Sequence, residues 1–105
     1  MSYDLMIGKS PLVRDSPLIV GSIDIEEYHV LAGIAKRHPS WLIDRLLQVF
    51  DDQYYGMEEL ALGAELLDQL LLEEKESRER AVLYMISAVF SMALRRGLPL
   101  HGVAD

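Results

Sequence analysis

The sequence predicts an α+β fold that is predominantly helical, with an N-terminal β-hairpin or small sheet followed by about four packed helices. Two short apolar segments near the N-terminus predict the strands, and four later stretches show helical periodicity. The most informative stretch is Ala81–Leu94, in which twelve of fourteen residues are apolar. A helix that is apolar on every side must be covered on every side. A membrane span needs about 20 apolar residues, so we predict that this stretch is the buried central helix of a small domain.

Length and composition predict one globular domain over residues 1–105. The chain is half apolar and about a quarter charged, which is typical of a folded protein. It contains no cysteine, which excludes disulfides, thiolate metal ligands and a cysteine nucleophile. The first ten residues lack the basic and apolar regions of a secretory signal. We therefore expect a cytoplasmic protein.

The two predicted strands are Tyr3–Ile7 and Pro17–Ile23, separated by a segment rich in Gly, Ser and Pro. Proline cannot donate to a strand ladder, so long central strands are not expected here. Leu12 and Val13 could add a third short extended piece. A hairpin alone is marginally stable in water, so it should lie against the helices.

Capping signals place the first two helices. Asp24 and Glu27 have the spacing of a capping box, and the first helix should end at His38-Pro39. Its core face is predicted to hold Tyr28, Leu31, Ala32 and Ala35. Ser40 is a suitable N-cap for a second helix. The apolar stripe of that helix is predicted to comprise Leu42, Ile43, Leu46, Leu47 and Phe50.

Two longer helices should follow. The third is predicted from Met57 to about Lys75, with a wide leucine face over Leu60–Leu72. For the central helix, Ser77 is the predicted cap and Gly97 the predicted end. We expect its small residues Ser87, Ala88 and Ser91 to allow a close approach by a neighbouring helix. The final residues LHGVAD should form a loosely held tail.

The acidic residues are concentrated in one part of the chain. Residues 51–79 contain ten carboxylates and only two cations, Lys75 and Arg78, so their net charge is −8, whereas the whole chain carries −7. Negative charge repels nucleic acid and favours a basic protein partner. A solvated acidic helix face would account for the same pattern. We expect neither a nucleic-acid nor a membrane partner.

No catalytic or metal-binding motif is complete. Gly8-Lys9-Ser10 lacks the upstream glycine of a P-loop, because that position holds Tyr3. Glu26-x-x-His29 would need a second such pair and further glutamates to hold two metal ions. The three histidines do not have zinc-site spacing. The sequence therefore predicts a protein that is not an enzyme and binds no metal or cofactor.

The segment DDQYYGMEE combines paired tyrosines with acidic pairs, a composition suited to a basic protein surface. We predict partner-binding roles for six of its residues: Asp51, Asp52, Tyr54, Tyr55, Glu58 and Glu59. The alternative is structural, with one tyrosine packed inward and the other covering a helix junction.

The run YYGMEELALGAELLDQLLL, from Tyr54 to Leu72, resembles the small immunity proteins that bacteria use against polymorphic or contact-dependent toxins. The segment Gly21–Ile23 and the helix after it add to this resemblance. It implies a cytoplasmic, non-enzymatic inhibitor that binds and blocks a cognate toxin, which the charge pattern would make basic. No binding residue can be transferred from the family. The alternative is a helical interaction module or homodimer that uses the leucine surface Leu60–Leu72.

Overall fold

A computed structural model describes residues 2–104, which form a four-stranded antiparallel sheet and four helices. The elements in chain order are β1 (Ser2–Ile7), β2 (Leu18–Asp24), α1 (Ile25–Arg37), α2 (Trp41–Leu46), β3 (Gln53–Tyr55), α3 (Met57–Glu73), α4 (Ser77–Arg96) and β4 (Leu100–Ala104). This confirms the predicted α+β class and the predominance of helix.

The sheet has the strand order β2-β1-β4-β3, so the C-terminal strand lies inside it. β4 pairs with β1 from Tyr3 opposite Ala104 to Ile7 opposite Leu100, and its other side pairs with β3. The prediction of a loose C-terminal tail is therefore wrong. Gly102 explains the fit of this strand, because a side chain there would overlap the ring of Tyr3, which occupies that space.

The N-terminal hairpin is confirmed, with β1 and β2 antiparallel and a register shift between Leu5 and Met6. The predicted extended piece at Leu12-Val13 is wrong, because Val13–Asp15 form a short 3-10 turn. Val13 is 92% exposed, so no neighbouring strand or core surface stabilises an extended conformation there.

Alternation along the strands gives the sheet two different faces. The side chains of Tyr3, Leu5 and Ile7 are buried in the core, and the registers place Tyr55 and Leu100 on the same face. The opposite face carries Met6, His101, Tyr54 and Ile19, which lie in one row across all four strands. The sheet therefore has one face on the helical layer and one open face.

The predicted caps of the first two helices are confirmed. The backbone N–H of Asp24 donates to Glu27 Oε1 (2.9 Å), and the Ile43 N–H donates to Ser40 Oγ (3.2 Å). α1 ends at Arg37, and its buried residues are Val30, Leu31 and Ile34. α2 ends earlier than its apolar stripe predicted, because the chain turns sharply after Leu46. Phe50 is consequently 83% exposed and lies outside the core.

The central helix α4 packs against α1, α3 and β2. The prediction that it is covered on every side is wrong. Its exposed stripe is formed by Ala81, Tyr84, Ala88 and Ser91, spaced three or four residues apart. Exposing small side chains such as alanine to water costs little free energy. A helix with twelve apolar residues therefore need not be buried on every side. The N-cap is Glu76, one residue before the predicted Ser77, and Gly97 ends the helix with φ +66° as predicted.

Gly63 of α3 lies in tight contact with Phe90 of α4. A Cβ atom at Gly63 would lie 2.5 Å from Phe90 Cε2, so only glycine fits there. The prediction that Ser87, Ala88 and Ser91 supply this contact is wrong, since Ala88 and Ser91 are exposed.

The boundaries of α3 agree with the prediction to within two residues, but its buried face is narrower than predicted. Leu60, Leu67 and Leu70 are buried, whereas Leu62 and Leu72 are 58% and 76% exposed. In residues 2–104, none of the helices combines the length and the apolar character that crossing a membrane requires.

Candidate protein-binding surface

The outward side of α3 is the most distinctive surface of the molecule, and we call it the acidic face. Its exposed residues recur every three or four positions, so they share one side of the helix. They are Glu58, Ala61, Leu62, Glu65, Asp68, Gln69, Leu72 and Glu73. This surface alternates carboxylates with two exposed leucines and contains no cation.

The carboxylates of the acidic face form no ion pair with a cation of residues 2–104. Among the ion pairs formed in residues 2–104, none includes Glu58, Glu65, Asp68 or Glu73. Glu65 and Asp68 are three residues apart, a spacing at which like charges destabilise a helix slightly. The folded chain therefore keeps a negative field on this side and leaves it without compensation.

Arg45 fixes the N-terminal end of α3. Its guanidinium forms an ion pair with Glu59, donates to the carbonyl oxygen of Tyr54 (2.6 Å) and lies 4.2 Å from the centre of the Tyr55 ring. Glu59 in turn accepts the backbone N–H of Gly56 (3.2 Å), as in a capping box. One cation thereby joins α2, β3 and the first turn of α3.

A second charged cluster fixes the C-terminal end of α3. The Glu74 carboxylate is buried and accepts two hydrogen bonds from Arg37, at 3.0 and 3.2 Å, at the end of α1. His38 Nε2 lies 3.7 Å from the same oxygen. Arg80 donates to the carbonyl oxygens of Leu71 and Glu74, which links α4 to the end of α3. Side-chain contacts within the chain therefore hold both ends of α3.

The six residues predicted to bind a partner occupy different environments. Asp51, Tyr54 and Glu58 are exposed and available for contact. Asp52 is exposed, but its Oδ1 accepts the backbone N–H of Ala104 (2.9 Å) and so helps to hold β4. Glu59 is engaged by Arg45, as described above.

Tyr55 is completely buried and cannot contact a partner, which corrects its predicted role. Strand β3 explains the difference, because consecutive residues of a strand point to opposite faces. Tyr55 packs against Phe90, with ring centroids 5.5 Å apart, while Tyr54 lies on the open face beside His101 at 5.5 Å. The structural alternative considered for the tyrosine pair is therefore correct for Tyr55.

Two buried tyrosine hydroxyls lie near this surface. Tyr3 donates to the carbonyl oxygen of Asp51 (3.0 Å), whereas the Tyr55 hydroxyl has no hydrogen-bond partner in residues 2–104. Burial raises the pKa of Tyr55 to about 12, with Arg45 opposing the shift. Burial also raises the pKa of Tyr3, and the nearby Asp52 and Tyr55 add to the effect. Both phenols therefore stay neutral at physiological pH.

Two neighbouring clefts lie between α1 and α4. One is lined by Glu26, Glu27 and Arg78, and the other by His29, Arg78 and Glu79. Glu26 and His29, which have the spacing of one helical face, therefore line different clefts. Within residues 2–104, no three His, Asp or Glu side chains are arranged to hold a metal ion.

Sequence reasoning missed the central role of Arg45. The available signal was a cation two residues after Ile43 and fourteen before Glu59, and these separations identify no contact. No family model, curated protein or solved structure matches the chain.

Proposed function

We propose that the protein is a non-enzymatic inhibitor of the immunity-protein type, which binds a basic partner, a cognate bacterial toxin domain, through the acidic face. The observation that carries this proposal is the row of uncompensated carboxylates on α3, with Leu62 and Leu72 exposed among them. The resemblance of Tyr54–Leu72 to immunity proteins supports the same function.

In this proposal the carboxylates act during the approach of the partner, and the exposed leucines act once contact is made. The carboxylates raise the rate at which a basic partner is captured, because long-range attraction steers the encounter. The exposed leucines then lose water on contact, at about 25 cal/mol for each Å² of apolar surface buried. Tyr54, which is 56% exposed on edge strand β3, points to the open face of the sheet, away from the helical layer, and is not part of the acidic face.

Rigidity adds to the affinity expected of such an inhibitor. Arg45 and Glu74 hold the two ends of α3 through side-chain contacts within the chain. Binding then orders little backbone, so less of the interaction free energy is lost to conformational entropy. This arrangement suits a protein that must capture a harmful partner quickly and retain it.

The first experiment identifies the partner. The polypeptide encoded immediately upstream is expressed with and without the chain, and the growth of the two cultures is compared. We expect the chain to restore growth and to co-purify with a basic protein. Normal growth without the chain, or failure to form a complex, would contradict the proposal.

The second experiment tests the acidic face with that complex. We expect the double variant Glu65→Gln, Asp68→Asn to lower the association rate constant about tenfold at low salt, because steering charge is lost. The matched control is Asp4→Asn, Asp44→Asn, which removes two carboxylates from β1 and α2, outside both the acidic face and β2. Equal effects of the two double variants, or rates independent of salt, would exclude steering by α3.

A further inference from the structure

β2 leaves one long backbone edge of the sheet open. It is the outer strand of the order β2-β1-β4-β3, and its outer side meets no other strand in residues 2–104. Seven residues span about 23 Å. No charged residue occurs between Leu18 and Ile23, although proteins commonly place lysine or other charges on edge strands to prevent pairing.

Exposed apolar side chains surround the start of this edge. Leu18 is 45% exposed and Ile19 59%, and the preceding loop presents Leu12 at 51% and Val13 at 92%. Leu18 and Ile19 are consecutive in β2 and point to opposite faces of the sheet, so each face presents an exposed apolar side chain at this edge.

The two ends of β2 carry opposite charge. At its start, Lys9, Arg14 and Arg96 line a cleft of about 370 Å³ together with Leu18, and Asp15 is the one carboxylate among the lining residues. At its end, the carboxylates Asp24, Glu26 and Glu27 follow within four residues of Ile23. The edge is therefore basic at one end, apolar near that end, and acidic at the other.

We infer that β2 pairs antiparallel with β2 of a second copy of the chain, so that two sheets join into one of eight strands. A two-fold axis through such a pair places the start of each strand beside the end of the other. The basic end of each copy then faces the acidic end of its partner. Parallel pairing would put like charges together, so the charge distribution specifies the antiparallel arrangement.

This interface is separate from the surface proposed for the toxin. β2 and β3 are opposite edges of the sheet, and the acidic face follows β3. The two acidic faces of a dimer would therefore lie away from the shared edge. Each copy keeps its acidic face free, and the inference does not depend on the proposed function.

Sedimentation equilibrium of the full chain at increasing concentration tests this pairing. We expect a monomer–dimer equilibrium that Ile19→Lys shifts to the monomer, raising the dissociation constant at least about tenfold. The matched control is Leu62→Lys on α3, since Leu62 is 58% exposed and Ile19 59%. Far-UV circular dichroism confirms that both variants fold.

Charge reversal tests the antiparallel arrangement. Arg14→Glu and Glu26→Arg should each weaken the dimer, and the double variant should recover most of the loss because the opposite charges are restored across the interface. A monomer at every concentration up to about 1 mM would overturn the inference. A dimer that survives Ile19→Lys, a dimer broken by Leu62→Lys, or a double variant weaker than both single variants would also overturn it.

Discussion

Tyr54 and Tyr55 are adjacent and of the same residue type, yet their side chains lie in different environments. Tyr54 lies on the open face of the sheet, while Tyr55 is fully buried against Phe90, and its hydroxyl has no hydrogen-bond partner among residues 2–104. A buried hydroxyl without a hydrogen bond costs about 1–3 kcal/mol. The ring of Tyr55 therefore stabilises the core, whereas its unpaired hydroxyl lowers the free energy of unfolding.

Replacing Tyr55 with Phe should stabilise the protein at neutral pH. The ring is kept and the unpaired hydroxyl is removed, so we expect the free energy of unfolding to rise by about 1 kcal/mol. Urea titrations monitored by circular dichroism measure this change. Tyr54→Phe, on the exposed neighbour, is the control and should change stability by less than about 0.5 kcal/mol.

The difference in the free energy of unfolding between Tyr55→Phe and the wild type should increase at alkaline pH. The pKa of Tyr55 is 10.0 in the unfolded reference and about 12 in the folded protein. Below pH 10 both states keep the phenol proton. Above it the unfolded chain loses the proton first, so wild-type stability falls as pH rises towards 12, by about 2–3 kcal/mol from this residue. The advantage of Tyr55→Phe should therefore be larger at pH 11 than at pH 7, and a constant difference would contradict the shift.

At the scale of elements, Gly63 decides how closely α3 and α4 pack. An added Cβ would lie 2.5 Å from Phe90 Cε2 and 3.0 Å from its Cδ2. Alanine is a better helix former than glycine, by about 1 kcal/mol. We nevertheless expect Gly63→Ala to lower the free energy of unfolding by about 1–3 kcal/mol, since overpacking a tight contact outweighs this gain.

Gly33 in α1 is the matched control for that substitution. A Cβ there would meet only Arg37 Nη1, at the ordinary contact distance of 3.6 Å. Gly33→Ala should therefore raise the free energy of unfolding by about 0.5–1 kcal/mol in the same urea titrations. If both variants were equally stable, the helix contact at Phe90 would not be the tight point of the core.

The helices could be predicted from sequence because their signals are local. Asp24, Ser40 and Gly97 act through neighbouring backbone groups, and all three mark helix ends in the structure. β3 and β4 gave no such signal. β4 depends on Gly102 receiving the ring of Tyr3, a contact between residues about a hundred positions apart.

At the scale of the whole molecule, the sequence predicted an acidic surface. It did not predict which carboxylates form ion pairs within the chain and which do not. The count of charges in residues 51–79 indicated an acidic surface. The structure divides these residues. Asp52, Glu59 and Glu74 bond to other parts of the chain, whereas Glu58, Glu65 and Asp68 form no ion pair within the described residues 2–104. Which carboxylate meets Arg45 or Arg37 depends on tertiary packing, so helical spacing alone could not separate the two groups.

Removing β4 should abolish the fold, although it contains only five residues. A chain that stops after Pro99 leaves β1 and β3 without their common neighbour and exposes apolar residues that β4 covers. We expect it to lack a cooperative thermal transition by circular dichroism. A chain that stops after Ala104 is the control and should melt like the full chain. A cooperative transition in the shorter chain would show that the other elements fold without β4.

The position of β4 also sets the order in which the protein matures. During synthesis, residues 100–104 emerge after every other element, yet β1 needs them to complete its pairing and β3 needs them to join the sheet at all. Contacts of such long sequence separation close slowly, because the loop entropy must be lost first. A nascent chain therefore keeps β3 unpaired until residues 100–104 emerge, although Arg45 already joins α2, β3 and the start of α3. Emergence of β4 is thus the step that completes the sheet, and under the proposed function the fully folded inhibitor would appear one folding time later.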